Sequence, residues 1–326
     1  MGLADHLPRV QSEPSRCVCD PSGAGAVIVP SRPTRCLPPL TSQGIGIIPE
    51  PPTHPPMSNL DSPSHGFAAC SSQTIFDLTG KRCAVIGSTS GIGHATAWAL
   101  ARAGADVVVH GRSKIAEGEA LARAIAGLGR RSRFIAADLA DPEGRSRLLD
   151  DAWNAFNGLD AWLHFAGADL LTGPEAHWSF EAKLERLWRV DVEPAILLCR
   201  AVGRRMFEDP AGGAIVTMGW DQAETGMEGD SGQAFGATKG AIHAFTKALA
   251  VELAPKVRVN AVAPGWIKTA WGRHASDAWQ RRAIAEAPLA RWGTPEDVAH
   301  AALFLVSPAS SFWTGQIMRV NGGAVR

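Results

Sequence analysis

The stretch Cys83-Ala84-Val85-Ile86-Gly87-Ser88-Thr89-Ser90-Gly91-Ile92-Gly93 decides the fold. Its first four residues are a short apolar run with the character of a buried strand, and a helical pattern follows through Ala103. Gly87, Gly91 and Gly93 stand where the strand would become the helix. Glycine permits the tight turn and lets the backbone approach a bound group closely. A helix N-terminus adds free N–H groups and a partial positive charge, which suits a phosphate. A glycine triplet alone is weak evidence, but the strand–turn–helix context makes it a dinucleotide-binding turn. Gly87, Ser88, Ser90, Gly91, Ile92 and Gly93 are therefore candidate cofactor contacts.

Outward from this turn, strands alternate with helices. Strands are expected at 106–110, 133–137, 161–165, 214–218, 257–262 and 317–320. Helices are expected at 113–128, 142–156, 180–208 with a kink near Pro194, 233–253, 277–286 and 295–305. The alternation predicts an α/β fold, a Rossmann-type doubly wound parallel sheet of about seven strands covered on both faces. Its ligand crevice would lie at the carboxyl ends of the strands. One domain of this kind accounts for residues 77–326. More than half of the 22 prolines fall in residues 1–76, where no helical or strand period persists. That segment is expected to be a disordered extension, or a gene-model artefact with the natural start nearer Met57.

The second strand ends in His110-Gly111-Arg112-Ser113. An acidic side chain there would hold the ribose 2′-hydroxyl of NAD. Gly111 and Arg112 stand there instead, and a guanidinium suits a 2′-phosphate. NADP(H) is therefore favoured over NAD(H), unless Arg112 is only a solvated surface residue.

Basic and acidic residues balance at 32 each, which argues against nucleic acid or an anionic membrane as a partner. No apolar run is long enough to span a bilayer and no signal pattern opens the chain, so a cytoplasmic protein is expected. Cys17, Cys19, Cys36 and Cys70 lack metal-ligand spacing, and no metal site is expected. Cys83 and Cys199 lie in apolar runs and read as reduced core residues.

Several further segments carry a family resemblance. They are Ala137-Asp138-Leu139, His164-Phe165-Ala166-Gly167, the run from Arg258 to Thr269, the run from Pro288 to Val298, Thr314-Gly315-Gln316 and Asn321-Gly322-Gly323. With the glycine turn and Lys239, they make residues 78–323 resemble the short-chain dehydrogenase/reductase (SDR) family. The resemblance implies that Asp138 and Leu139 flank the adenine, and that Ala166, Gly167, Pro264 and Gly265 border the cofactor. It places Ile267 by the carboxamide and Thr269 by the pyrophosphate. It also implies a homodimer or homotetramer built through helices 180–208 and 233–253.

The departures fall on the chemistry. Family members use Asn, Ser, Tyr and Lys; the matching positions are Asp191, Gly219 or Trp220, Phe235 and Lys239. The chain contains no tyrosine at all. Phe235 cannot transfer a proton, and losing a positioned acid costs roughly 10²–10⁴ in rate. Lys239 keeps the ribose-binding role that the family gives it, and Asp191 is expected to pair with it. Asp221 is the leading substitute acid, because a carboxyl beside aromatic surface can hold its proton near neutrality. Glu224, Glu228 and Asp230 share its loop, while His164 and His243 read mainly as structural histidines. Trp220, Phe235, Trp266, Trp271, Trp279 and Trp178 are expected around an apolar small-molecule pocket.

Three functions remain open. The first is an NADP-dependent oxidoreductase with an atypical site, acting on a small apolar or aromatic carbonyl or alcohol. The second is a non-redox isomerase, dehydratase or cyclase on the same scaffold. The third is a catalytically impaired, cofactor-binding pseudoenzyme. The first, with Asp221 as acid, implies that Asp221→Asn removes turnover while cofactor binding survives.

Overall fold

A computed structural model describes residues 75–171 and 174–325, all within one unit of the chain, Phe67–Arg326. The proline-rich extension, the alternative start at Met57 and Cys17, Cys19, Cys36 and Cys70 lie outside the described residues.

Seven strands form one sheet: β1 (Arg82–Ile86), β2 (Asp106–Gly111), β3 (Ser132–Ala136), β4 (Ala161–His164), β5 (Gly213–Met218), β6 (Val257–Pro264) and β7 (Ile317–Val320). Every pairing is parallel and the spatial order is β3-β2-β1-β4-β5-β6-β7. The order reverses between β1 and β4, so the connections leave those two strands in opposite directions and open a crevice at their carboxyl ends. The helices are α1 (Gly91–Arg102), α2 (Ile115–Gly127), α3 (Pro142–Ala155), α4 (Phe180–Leu187), α5 (Glu193–Glu208), α6 (Gly229–Leu253), α7 (Ala270–His274), α8 (Asp277–Glu286) and α9 (Pro295–Val306).

The strands read as continuous apolar runs because both faces are buried. On one face Val85, Val107, Leu163 and Val216 pack with Leu100 of α1 and Val298 of α9. On the other, Ile86, Val108, Trp162 and Ile215 pack with Leu148 of α3, Val202 of α5 and Leu249 of α6. Alternate residues of one strand thus serve opposite cores.

Three local expectations differ from the structure. The break in the 180–208 helix is a π turn at Trp188–Val192, ahead of Pro194. Pro194 sits in the first turn of α5, where its missing N–H costs nothing. The π turn carries Asp191 into the interior. Helix α6 also begins at Gly229, a full turn before 233, so part of the expected loop is helical. The short α7 has too few residues for a periodic signal. Among the described residues, no helix is long and apolar enough to cross a membrane.

Arg258 ties β6 to the end of α9. Its guanidinium donates to Leu305 O and Ser310 Oγ, both at 2.8 Å, and to Ser307 O at 3.4 Å. These carbonyls belong to or follow the last helical turn, where no intrahelical donor is available. Arg258→Met is expected to lower unfolding free energy by about 2–4 kcal/mol, because the carbonyls lose a charged donor. Urea unfolding checks this, with cofactor affinity of the folded variant unchanged.

Candidate active site

The glycine turn is fixed by contacts that exclude side chains. Gly87 has φ +86, and a Cβ there would stand 2.5 Å from Ala166 Cα. A Cβ on Gly93 would stand 2.1 Å from Gly87 O. The turn therefore presses against the end of β4 and folds back on the start of α1. Ser90 precedes α1, and its side chain makes no capping bond with the described residues. The first N–H groups of the helix are thus left for an anion. Ser88 departs from expectation. Its fully buried hydroxyl donates to Val85 O at 2.7 Å and accepts from His110 N at 3.0 Å, so it braces the turn from within.

A cleft of about 550 Å³ opens above this turn at the β1/β4 switch point. Gly87, Ser90, Ile92 and Gly93 form its floor, with Ala166 and Gly167 from the end of β4 and Thr269 from the start of α7. Asp138 and Leu139 line it beyond β3, and Arg112 beyond β2. Gly91, Ile267, Pro264 and Gly265 are not among the lining residues. Gly91 nonetheless approaches Thr269, and Gly265 is packed against Asn321. The lining residues missed from sequence include Thr89, Ser113 and Lys114. They surround Gly111, whose Cβ would stand 2.3 Å from Thr89 Cγ2. The signal available was a second cation two residues after Arg112.

Lys239 and Asp191 do not themselves line the cleft and meet behind its floor. Lys239 Nζ lies 2.9 Å from Asp191 Oδ2, with the residues 7% and 3% exposed. The other carboxylate oxygen accepts from Ala168 N at 2.8 Å. A Cβ on Gly167 would stand 2.9 Å from Asp191 Oδ2, so glycine lets the pair lie directly under the cleft lining. The pairing expected from sequence is therefore present. Removing either partner would leave an uncompensated buried charge.

Phe235 lies one turn before Lys239 on α6, half-buried, with Trp220 edge-on at 6.3 Å between ring centroids. Gly219 is packed against His243, whose Nε2 would be 2.2 Å from any Cβ there. Trp220, not Gly219, is thus the side chain that stands beside Phe235. Two apolar rings adjoin each other where the resemblance implies two hydroxyls.

Asp221 requires a correction. It is 1% exposed and does not line the cleft. Its Oδ2 accepts from Asn321 Nδ2 at 3.1 Å and lies against Gly265, on the side toward β7. Burial does push its carboxyl up to about 6, with the Asn321 bond opposing. The carboxyl is thus engaged on the β7 side and is not among the groups that line the cleft. Two of the loop carboxylates are engaged by arginines. Glu224 binds Arg319 at 2.8 Å, and Glu228 binds Arg282. Burial, with His110 and Lys239 nearby, holds the His164 imidazole down to about 3, so it is neutral. Burial also lowers the pKa of His243, against an opposing pull from Glu224.

The tryptophans pack mainly on one another. Trp266 stacks on Trp271 at 6.0 Å and meets Trp279 at 5.3 Å, and Trp292, unforeseen from sequence, completes the cluster. Trp266 Nε1 donates to Glu286 Oε2 at 2.7 Å, and Arg282 covers Trp279. None of the four rings, nor Trp178, lines the cleft. The cluster is the core of the segment that holds α7 and α8. No group of metal-ligating side chains occurs among the described residues.

The Asp221 geometry has a measurable consequence. A carboxyl whose folded pKa lies above its unfolded value contributes stability at low pH and loses it as pH rises from about 4 to about 6. Asp221→Asn is expected to raise the melting temperature at pH 8, corresponding to about 1–3 kcal/mol, and to leave it unchanged at pH 4. Thermal unfolding at the two pH values checks this, and turnover of the variant should be retained.

Comparison with known proteins agrees with this geometry. Residues 86–325 match the family model described as enoyl-(acyl carrier protein) reductase. The chain is 34% identical over 253 residues to a 3-oxoacyl-[acyl-carrier-protein] reductase FabG of Aquifex aeolicus, covering 76% of this chain and 98% of that protein. Among solved structures, a 7α-hydroxysteroid dehydrogenase complexed with NADH and 7-oxo glycochenodeoxycholic acid superposes with TM-score 0.70 at 30% identity, covering 77% of this chain and 96% of that one. A gluconate 5-dehydrogenase from Burkholderia cenocepacia in complex with NADP and tartrate gives 0.68 at 29%, covering 76% and 96%. The parallel sheet with its glycine turn and these matches together establish that the chain belongs to the short-chain dehydrogenase/reductase family of NAD(P)-dependent oxidoreductases.

Proposed function

We propose that this protein is an NADP(H)-dependent oxidoreductase of a small apolar or aromatic carbonyl or alcohol, with Lys239 as the proton-bearing group of an atypical site. The observation that carries this reading is the buried Lys239–Asp191 pair directly beneath Gly167 and Ala168 of the cleft. The bound nicotinamide would supply or accept the hydride.

The glycine turn and the uncapped start of α1 suit the pyrophosphate. Arg112 and Lys114 suit a 2′-phosphate, with Thr89 and Ser113 as further donors. The Thr89 methyl fills the space beside Gly111, which argues against the acidic side chain that would select NAD. The two relatives bound to NADH and to NADP differ in cofactor, so the preference rests on these residues of the chain itself.

Asp191 holds the Lys239 ammonium in place. In carbonyl reduction Lys239 Nζ would give a proton to the oxygen, as the nicotinamide hydride would join the carbonyl carbon, and would regain a proton from solvent. Trp220 and Phe235, which adjoin each other without lining the cleft, offer no proton. Turnover should therefore be slow beside an enzyme with a positioned phenol. The same two rings favour the pseudoenzyme as the second reading.

A panel of small aromatic and aliphatic ketones, followed by NADPH oxidation, tests the proposal. The chain should turn over at least one, Lys239→Met should lose all activity, and Phe235→Tyr should raise kcat by about tenfold or more. Absence of turnover in the native chain and in Phe235→Tyr with Trp220→Ser would favour the pseudoenzyme. A product isomeric with its substrate, formed without NADPH use, would favour the non-redox reading.

A further inference from the structure

His110, the last residue but one of β2, uses all its polar groups on two neighbouring parts of the cleft. Its Nδ1 is 3.1 Å from Gly87 N, and its Nε2 is 3.2 Å from Ala137 O. A backbone N–H can only donate, so Nδ1 must be the unprotonated nitrogen and Nε2 must carry the hydrogen that goes to the carbonyl. Burial holds the imidazole neutral, down to about 4, which keeps this single tautomer through the physiological range. The backbone of the same residue continues the pattern. His110 N donates to Ser88 Oγ at 3.0 Å, and His110 O accepts from Ser88 N at 2.8 Å.

The two ends of this bridge matter for different parts of one ligand. Gly87 begins the turn that faces the pyrophosphate, and its φ of +86 and its contact with Ala166 leave it little freedom to adjust. Ala137 immediately precedes Asp138 and Leu139, and all three line the cleft. Strand β2 lies between β1 and β3, so without the imidazole no hydrogen bond among the described residues would link Gly87 to Ala137. The ring is 2% exposed yet borders the cleft.

We propose that His110 is a positioning residue of the cofactor site, holding the pyrophosphate turn in register with the adenosine-flanking end of β3. The proposal rests on the cofactor reading above. It does not make His110 a proton donor or a cofactor ligand; it acts through Gly87 and Ala137. Asparagine can offer an amide oxygen close to the Nδ1 position, so it can keep the Gly87 bond, but it is too short to reach Ala137. Glutamine can reach Ala137 from the Nε2 position and leaves Gly87 N without its acceptor. Leucine keeps the bulk and loses both bonds.

The test is calorimetric titration of NADP⁺ into the native chain and into His110→Asn, His110→Gln and His110→Leu, with urea midpoints measured for each. His110→Leu should weaken NADP⁺ at least about tenfold, and His110→Asn should recover to within about threefold of the native chain, while His110→Gln falls between them. Should His110→Leu not fold, the order of the Asn and Gln variants decides. The proposal is overturned if the variants bind as the native chain does, or if affinity follows the urea midpoints and not the identity of the retained bond. If the native chain itself does not bind NADP⁺, the cofactor reading fails, which is a separate result from the ranking of variants.

Discussion

The close approach of Gly87 to Ala166 is the constraint on which the site depends. With 2.5 Å between a would-be Cβ and the Ala166 Cα, the β1–α1 turn can reach the end of β4 only as bare backbone. That contact closes the floor of the cleft at the point where the strand order reverses. It also requires glycine at 93, since the turn folds back on Gly87 O. From the same floor, Gly167 gives access to Asp191, and Asp191 holds Lys239. Three absent side chains thus connect the anion-binding end of the cleft to its buried charge pair.

The charge pair is housed by an irregularity. An unbroken helix from α4 into α5 would advance each residue by about 100°, whereas the π turn at Trp188–Val192 adds a residue to the turn and changes which way the following side chains face. Asp191 lies in that turn and is directed inward, accepting from Ala168 and pairing with Lys239. Nearby, Trp220 and Phe235 pack edge-on against each other. The buried charge pair and the adjoining rings are thus separate features of one half of the sheet.

Much of this was legible in the sequence. The β1 turn could be read because glycine at 87, 91 and 93 has few structural explanations between an apolar strand and a helix. Lys239 and its pairing with Asp191 could be anticipated because spacing along α6 survives where Tyr does not. The first turn of α6 was not legible, since Gly229 and Gly232 have low helix propensity and tertiary packing overrides it. The direction of Asp221 was not legible either. It lies in a turn three residues past β5, where no strand or helix period says which way a side chain points. The aromatic segments were recognised, but their mutual packing, with Trp292 at its edge, is a property of the folded chain and not of any one segment.

The most direct measurement is calorimetric titration of the native chain with NADPH and with NADH under one buffer condition. The account predicts micromolar binding of NADPH and binding of NADH weaker by about tenfold or more, a difference of about 1.4 kcal/mol or more. Equal affinity for the two, or tighter binding of NADH, would contradict the role given to Arg112, Lys114 and Thr89. Absence of binding by both would contradict the cofactor site itself.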